Sequence, residues 1–204
     1  KRKYMPNGLT VIISSPAGGG KDAVIRKLLE IFSNSTRIIT TTSRLPRPNE
    51  QNGVNYFFIT KEEFKKKIAE GYFLEYNDCA GNFYGTPKKY VEDLIKKYEL
   101  VFTNIDVNGK HSFDKLGITN LSFFLLPESL EILRERAKRR GGMTDQMIDD
   151  RLRLSQEEIE KSKDFDHQIV NTDGKLEETV NQIADIIRKH QPNIATIDKK
   201  DKVS

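Results

Sequence analysis

Nine residues near the start of the chain, Ser14-Ser15-Pro16-Ala17-Gly18-Gly19-Gly20-Lys21-Asp22, are of types and spacing that could hold a polyphosphate. They follow the apolar run Leu9–Ile13 and precede a helix-like stretch, Ala23–Phe32. In a strand–turn–helix of this kind backbone N–H groups point inward, the lysine adds charge, and the helix N-terminus contributes its positive dipole end. Gly18, Gly19 and Gly20 can adopt positive φ and let a phosphate approach the backbone, while Lys21 can bridge terminal phosphates. Ser15 and Asp22 depart from the phosphate-loop pattern, which has glycine at the first position and Ser or Thr at the second. The competing reading is a glycine-rich βα turn that binds nothing. Asp22 occupies the place of a hydroxyl that ligates Mg²⁺. A carboxylate is a better ligand for a hard cation, but it lies nearer the anionic phosphates. Two readings of Asp22 stand side by side: it reaches Mg²⁺ directly or through water, aided by the helix dipole, or it is simply a helix-start residue.

The surrounding chain must place this loop. Short apolar runs alternate with helix-period segments, the pattern of a doubly wound parallel sheet with helices on both faces. Core strands are expected at 10–14, 37–39, 100–105, 121–126 and 167–171. Helices are expected at 87–98, 129–139, 145–163 and 175–189, the last with Leu176, Val180, Ile183, Ile186 and Ile187 at helical spacing. On the helix after the loop, Ala23, Ile25, Leu28, Leu29 and Ile31 are expected to face inward. Between Thr40 and Thr86 the texture changes to short strands (56–59, 73–77), Gly and Asn turns and one helix, 61–70, suggesting an antiparallel insert. A second insert, Arg134–Arg151, is rich in arginine, interrupted by Gly141-Gly142, and has the character of a mobile lid. The division that follows is core 8–38, 88–127 and 158–190, insert 39–87, lid 128–157, and a polar tail 191–204 expected to be disordered.

Composition narrows the class. The 204 residues fit one domain with inserted lobes. A net charge of +4, with 30 acidic residues interspersed among 34 basic ones, does not describe a nucleic-acid surface and suits a small anionic substrate. A single cysteine excludes an intramolecular disulfide and agrees with a reducing compartment, hence a cytoplasmic location. Lys1-Arg2-Lys3 leaves an organelle interior open, should a targeting segment have been trimmed. No apolar run approaches the ~20 residues of a membrane span. Cys79, His111 and His167 are not spaced as metal ligands.

Further motifs decide which phosphate-binding family the chain resembles. Thr40-Thr41-Thr42-Ser43-Arg44-Leu45-Pro46-Arg47-Pro48 followed by Gly53-Val54-Asn55-Tyr56-Phe57-Phe58 is similar to the substrate-lobe signature of guanylate kinases. Phe73-Leu74-Glu75-Tyr76, Gly81-Asn82-Phe83-Tyr84-Gly85-Thr86-Pro87, Ile105-Asp106-Val107-Asn108-Gly109, Arg139-Arg140-Gly141, Arg151-Leu152 and Phe165–Asn171 follow in the same order. The likeness spans about residues 8–190, and the Lys21-Asp22 pair resembles a subset that includes plastid-type members. It implies a P-loop nucleoside-monophosphate-kinase fold, ATP with Mg²⁺ as phosphoryl donor, and GMP as acceptor, with dGMP an open question. The expected partners are these nucleotides, with neither nucleic acid nor membrane, on a monomer or homodimer.

The resemblance also implies roles. Arg44 and Arg47 would fork onto the acceptor phosphate, as planar guanidinium donors suit phosphate oxygens, and Tyr56 and Tyr84 would add hydroxyls. Guanine presents N1–H beside an amine, which a carboxylate accepts; Glu75 matches that position, with Thr40 and Thr86 placed to donate to O6. Asp106 matches a position on the base and ribose side. Two residues earlier stands Asn104, where many members carry an acid. Lys21, Arg47, Arg140 and Arg151 are the candidates for neutralising the moving phosphoryl group; Arg140 and Arg151 would arrive together on the closing lid. The ATP side comprises Ser15 through Asp22, Arg136 and Asn171. Arg136 is read equally as a phosphate contact or a lid salt bridge, Asn171 as an adenine neighbour or a turn residue, and Arg139 as helix surface. Two rivals remain: a catalytically inactive phosphopeptide-binding domain of the same fold, and a kinase for another nucleoside monophosphate.

Overall fold

The structure, a computed structural model, describes residues 8–79 and 81–196, with Arg140 described by its backbone alone. Its centre is a five-stranded sheet in which every pairing is parallel. The strands are β1 (Leu9–Ser14), β2 (Ser35–Arg37), β7 (Leu100–Thr103), β8 (Asn120–Leu126) and β9 (His167–Val170), in the order β2-β7-β1-β8-β9. Strand β1 is buried along its whole length because both sheet faces are covered, which is why it reads as a mostly apolar run rather than an alternating one. Leu9, Val11 and Ile13 face α1 (Lys21–Leu29) and α7 (Leu176–His190), which contribute Val24, Ile25, Leu28, Val180, Ile183 and Ile187. Ile12 looks the other way, into a core shared with α3 (Lys88–Lys97) and α4 (Val107–Lys115) through Val91, Ile95, Val107 and Phe113.

Most expected elements stand within a residue or two of their places. On α1 the buried positions are Val24, Ile25 and Leu28, whereas Ala23 and Leu29 are only half-buried. The second core strand lies two residues earlier than expected, at Ser35–Arg37. Helix α4 was not expected. Its Asn, Gly, Ser and Asp content is poor helix-forming sequence, and what starts it is the Asp106 carboxylate accepting from the Gly109 N–H at 2.8 Å. Gly109 is required by packing, since a Cβ there would meet Ile105 Cβ at 2.9 Å.

The insert is a separate four-stranded sheet, β4-β3-β6-β5, built from β3 (Thr41–Thr42), β4 (Phe57–Phe58), β5 (Phe73–Cys79) and β6 (Asn82–Pro87). It is antiparallel except for β3 and β4, which pair parallel, so the expectation of a wholly antiparallel insert needs that correction. Its helix α2 (Lys61–Ala69) starts in a Thr60/Glu63 capping box. The fully buried Phe64 of α2 stacks on Phe73 and Phe83, with ring centroids 4.3 and 5.3 Å away. Helices α5 (Leu130–Arg140) and α6 (Asp145–Lys161) are tied together by Arg134–Asp149 at 2.6 Å and Lys138–Asp145 at 3.5 Å. Within the tail, residues 191–196 pack back onto the fold: Ile194 lies against the core, and the Ala195 carbonyl accepts from the Ser33 N–H at 3.3 Å. Residues 197–204 lie outside the described residues.

The aromatic stack is the insert's own core. Phe64→Ala is expected to cost about 3–5 kcal/mol, as large-to-small core changes at phenylalanine do, read as a lower urea midpoint. A loss below about 1 kcal/mol would show that the stack does not hold the lobe.

Candidate active site

The carboxyl ends of β1 and β7 open into one cleft of about 270 Å³. Ser14, Ser15, Ala17 and Lys21 line it from the first strand's loop, and Asn104, Ile105 and Asp106 from the second's. The insert contributes Thr40, Tyr56, Glu75, Asn77, Cys79 and Tyr84, and α6 contributes Glu158. Core and insert thus meet at a single depression, where a parallel sheet places its ligands.

The glycine turn is braced from behind. Gly18 and Gly20 have φ of 91° and 92°, so both need glycine. Gly20 doubles as the N-cap of α1, and a Cβ on it would meet Asn171 Nδ2 at 2.6 Å. The buried Asn171 donates from Nδ2 to the Gly19 carbonyl at 2.8 Å and accepts at Oδ1 from Thr179 at 2.9 Å, so its side chain is a brace for the loop. Arg136 matches neither expectation in full: one arm donates to the Gly18 carbonyl at 3.1 Å and the other pairs with Asp173 at 3.0 Å, tying α5 to the glycine turn. Ser15, on the loop's inner side, donates to the Pro16 carbonyl at 2.9 Å. A Cβ on Gly19 would lie 2.6 Å from Ser15 Cβ, so this small side chain is already close to filling the turn.

Asp22, the second residue of α1, is more than a helix start. Its Oδ1 accepts from Arg37 at 2.7 Å and from Asn104 Nδ2 at 3.0 Å, joining α1 to the ends of β2 and β7. No cluster of three acidic, histidine or cysteine ligands exists among the described residues. The donor set fits Mg²⁺ carried chiefly by a nucleotide's phosphates, because that ion keeps most of its waters and takes one or two protein carboxylates.

On the insert side, Glu75 is half-buried and accepts from the fully buried Thr86 hydroxyl at 2.5 Å. Burial raises its pKa above the ordinary carboxylate value; the Thr86 hydrogen bond works against that rise, and nearby Asp106 adds to it. Asp106 Oδ2 accepts from Asn77 at 3.0 Å while Oδ1 caps α4, so this residue links the two sheets as well as lining the cleft. Thr40, Tyr56 and Tyr84 stand nearby, the two tyrosine rings meeting edge to face at 6.0 Å.

Arg44 and Arg47 share one loop but are held differently. The Arg44 fork is taken by Glu50 at 2.8 and 3.0 Å, with a further bond to the Leu45 carbonyl at 2.7 Å, and its guanidinium lies 5.4 Å from the Tyr56 ring centre. The hydrogen bonds that Arg44 donates to Glu50 raise the Arg44 pKa, and the same pairing lowers that of Glu50. Arg44 Nε is buried without a hydrogen-bond partner among the described residues. Arg47 is exposed and donates its backbone N–H to Glu50 at 2.7 Å. On α6, Arg151 contacts the Met143 sulfur at 3.5 Å. The Arg140 side chain lies outside the described residues; Arg139 is exposed on the helix surface.

Four residues of the site went unnoticed in the sequence: Arg37, Glu50, Asn77 and Glu158. Glu158 was within reach of periodicity, since it follows Arg151 by two helical turns and so shares its face. Burial raises the Glu158 pKa, while the positive charges of Lys21 and Arg151 pull the other way. Cys79 is exposed at the cleft, His111 pairs with Asp164 at 3.0 Å, and His167 stacks on Phe123.

If Thr86 holds the Glu75 carboxylate ionised against burial, Thr86→Val raises the Glu75 titration midpoint, read by carboxyl ¹³C NMR. An unchanged or lower midpoint would mean that the hydroxyl does not support the charge.

A family model described as guanylate kinase matches residues 7–190. A guanylate kinase of Rickettsia bellii is 42% identical over 180 residues, covering 88% of this chain and 93% of its own length. One from Clostridioides difficile is 37% identical over 172 residues, 84% of each. Among solved structures, the guanylate kinase of Anaplasma phagocytophilum superposes with a TM-score of 0.72 at 31% identity, over 90% of this chain and 86% of that one.

Proposed function

The chain belongs to the guanylate kinase family, and from that membership and the cleft we propose that it transfers the γ-phosphoryl group of ATP to GMP, giving ADP and GDP. The observation that carries the reading is the pairing, in one depression, of a glycine loop ending in Lys21 with the half-buried Glu75. The first suits a donor's phosphates; the second suits an acceptor's base.

Phosphoryl transfer asks the protein chiefly for alignment and charge neutralisation. Backbone N–H groups from Gly18 to Lys21 hold the donor phosphates, and Lys21 carries positive charge to the transferring group. Arg44, Arg47, Tyr56 and Tyr84 form the acceptor-phosphate pocket. Glu75 accepts from guanine N1–H and the exocyclic amine, with Thr40 and Thr86 on the O6 side and Asp106 toward the ribose. Adenine would set a lone pair against Glu75, a mismatch that buried polar groups punish heavily. Arg140 and Arg151 reach the transferring group as residues 128–157 close over the core (8–38, 88–127, 158–190) and the insert (39–87). Mg²⁺, when bound with ATP and reached by Asp22, adds neutralising charge at the donor phosphates. No described helix is long and apolar enough to cross a membrane; a cytoplasmic place rests on the single cysteine.

A coupled ADP-release assay with GMP, AMP, UMP and CMP in parallel tests this: turnover should be confined to GMP among the four. Turnover with none would leave a phosphate-binding domain without catalysis. Lys21→Ala should lower kcat by about 10²-fold or more, as loss of a charge-stabilising donor does, with GMP affinity nearly intact; normal turnover would refute the loop's role. Glu75→Gln should lower kcat/KM for GMP by about 10- to 100-fold, the usual worth of a hydrogen bond to a charged group. Because burial raises the Glu75 pKa, kcat/KM for GMP should fall on acidification before an ordinary carboxylate would protonate, and that limb should vanish in the variant. A retained limb would assign it to another group.

A further inference from the structure

Asp22, Arg37 and Asn104 are remote in sequence yet share one oxygen. Asp22 Oδ1 takes hydrogen bonds from Arg37 at 2.7 Å and from Asn104 Nδ2 at 3.0 Å. The sheet makes this possible: β2 and β7 are parallel neighbours with Arg37 opposite Phe102, so Arg37 and Asn104 emerge at the same edge, against the first turn of α1. The ion pair is partly exposed, with 29% of the Arg37 side chain and 64% of that of Asp22 open to solvent, so it adds little to stability. Its position matters more. A carboxylate directly after Lys21 repels any phosphate held by the glycine turn unless its charge is offset. Arg37 supplies that offset, and Asn104 contributes a donor that a carboxylate at the same place could not.

We propose that Arg37 and Asn104 are positioning residues for Asp22: they offset its charge and fix its direction, so that Oδ2 serves the cation of a metal–nucleotide complex while the carboxylate does not expel the phosphates. The amide at 104 is then the partner that a carboxylate at 22 requires. An acid at 104 would set two carboxylates against each other at hydrogen-bond distance and add negative charge beside the phosphates. This rests on the metal reading of Asp22 made above and adds two residues to it.

Calorimetric titration of the full-length protein with ADP in EDTA, and with ADP and Mn²⁺, tests it without relying on turnover. Asn104→Asp should weaken metal-free ADP binding by about tenfold, within the range of coupling between touching charged groups, and the added Asp22→Ser change should restore it. Arg37→Ala should weaken metal-free ADP binding to a similar extent but leave Mn²⁺–ADP within about threefold, because the cation takes over the offset; in an Asp22→Asn background it should have no effect. Asp22→Asn alone should reduce the preference for Mn²⁺–ADP over ADP by about tenfold. Additive effects of Arg37→Ala and Asp22→Asn, or failure of Asp22→Ser to rescue Asn104→Asp, would overturn the coupling. If Arg37→Ala does not fold, the pair at 22 and 104 decides alone. Absence of GMP phosphorylation by the unaltered protein would instead strike at the proposed reaction, so the two failures are distinguishable.

Discussion

Everything at the cleft depends on five strands running in one direction. Parallel pairing puts every carboxyl end on the same edge of the sheet, so the segments that leave those ends must meet there. The glycine turn leaves β1, Asn104 through Asp106 leave β7, and Asn171 leaves β9. The meeting is enforced by specific bonds: Asn171 to the Gly19 carbonyl, Asn104 to Asp22, and Asp106 to Asn77 of the insert. Antiparallel pairing at any one of these strands would carry its loop to the far edge and dissolve the site.

Charge is distributed across the cleft with a purpose that burial alone does not explain. Lys21 lies on one side with Glu158 near it, and Glu75 and Asp106 lie toward the insert. Each carboxylate has a hydrogen-bond donor or a cation to hold its charge: Thr86 for Glu75, Asn77 and the Gly109 N–H for Asp106, Lys21 and Arg151 for Glu158, Arg37 and Asn104 for Asp22. Such partners offset negative charge that would otherwise stand unopposed beside the glycine turn. Arg44 is the converse case, a cation whose fork is held by Glu50.

Legibility in the sequence followed the strength of local physics. The core strands and long helices were readable because burial on two faces, or on one helical stripe, writes a periodic pattern. The phosphate turn was readable because few residues satisfy positive φ beside a helix start. Helix α4 was not, because its stability comes from one cap at Asp106 and from packing of Gly109 on Ile105 rather than from helix-forming residues. Strands β3 and β6 were missed for a related reason: two residues of β3 carry no period, and Gly85 in β6 sits under Phe64 and Phe73, whose rings leave no room for a Cβ. Partners such as Arg37 and Glu50 were hidden because each acts through another residue. Nothing in a strand-end arginine announces an aspartate fifteen positions earlier.

The central claim is that a donor's phosphates and an acceptor's guanine occupy this cleft together. The most direct measurement is a crystal structure with a bisubstrate compound that joins adenosine and guanosine through a phosphate bridge. The account predicts guanine N1–H and its amine on Glu75, and bridge phosphates over the Gly18–Lys21 turn. A compound bound with its guanine away from Glu75, or with no phosphate within reach of Lys21, would contradict it.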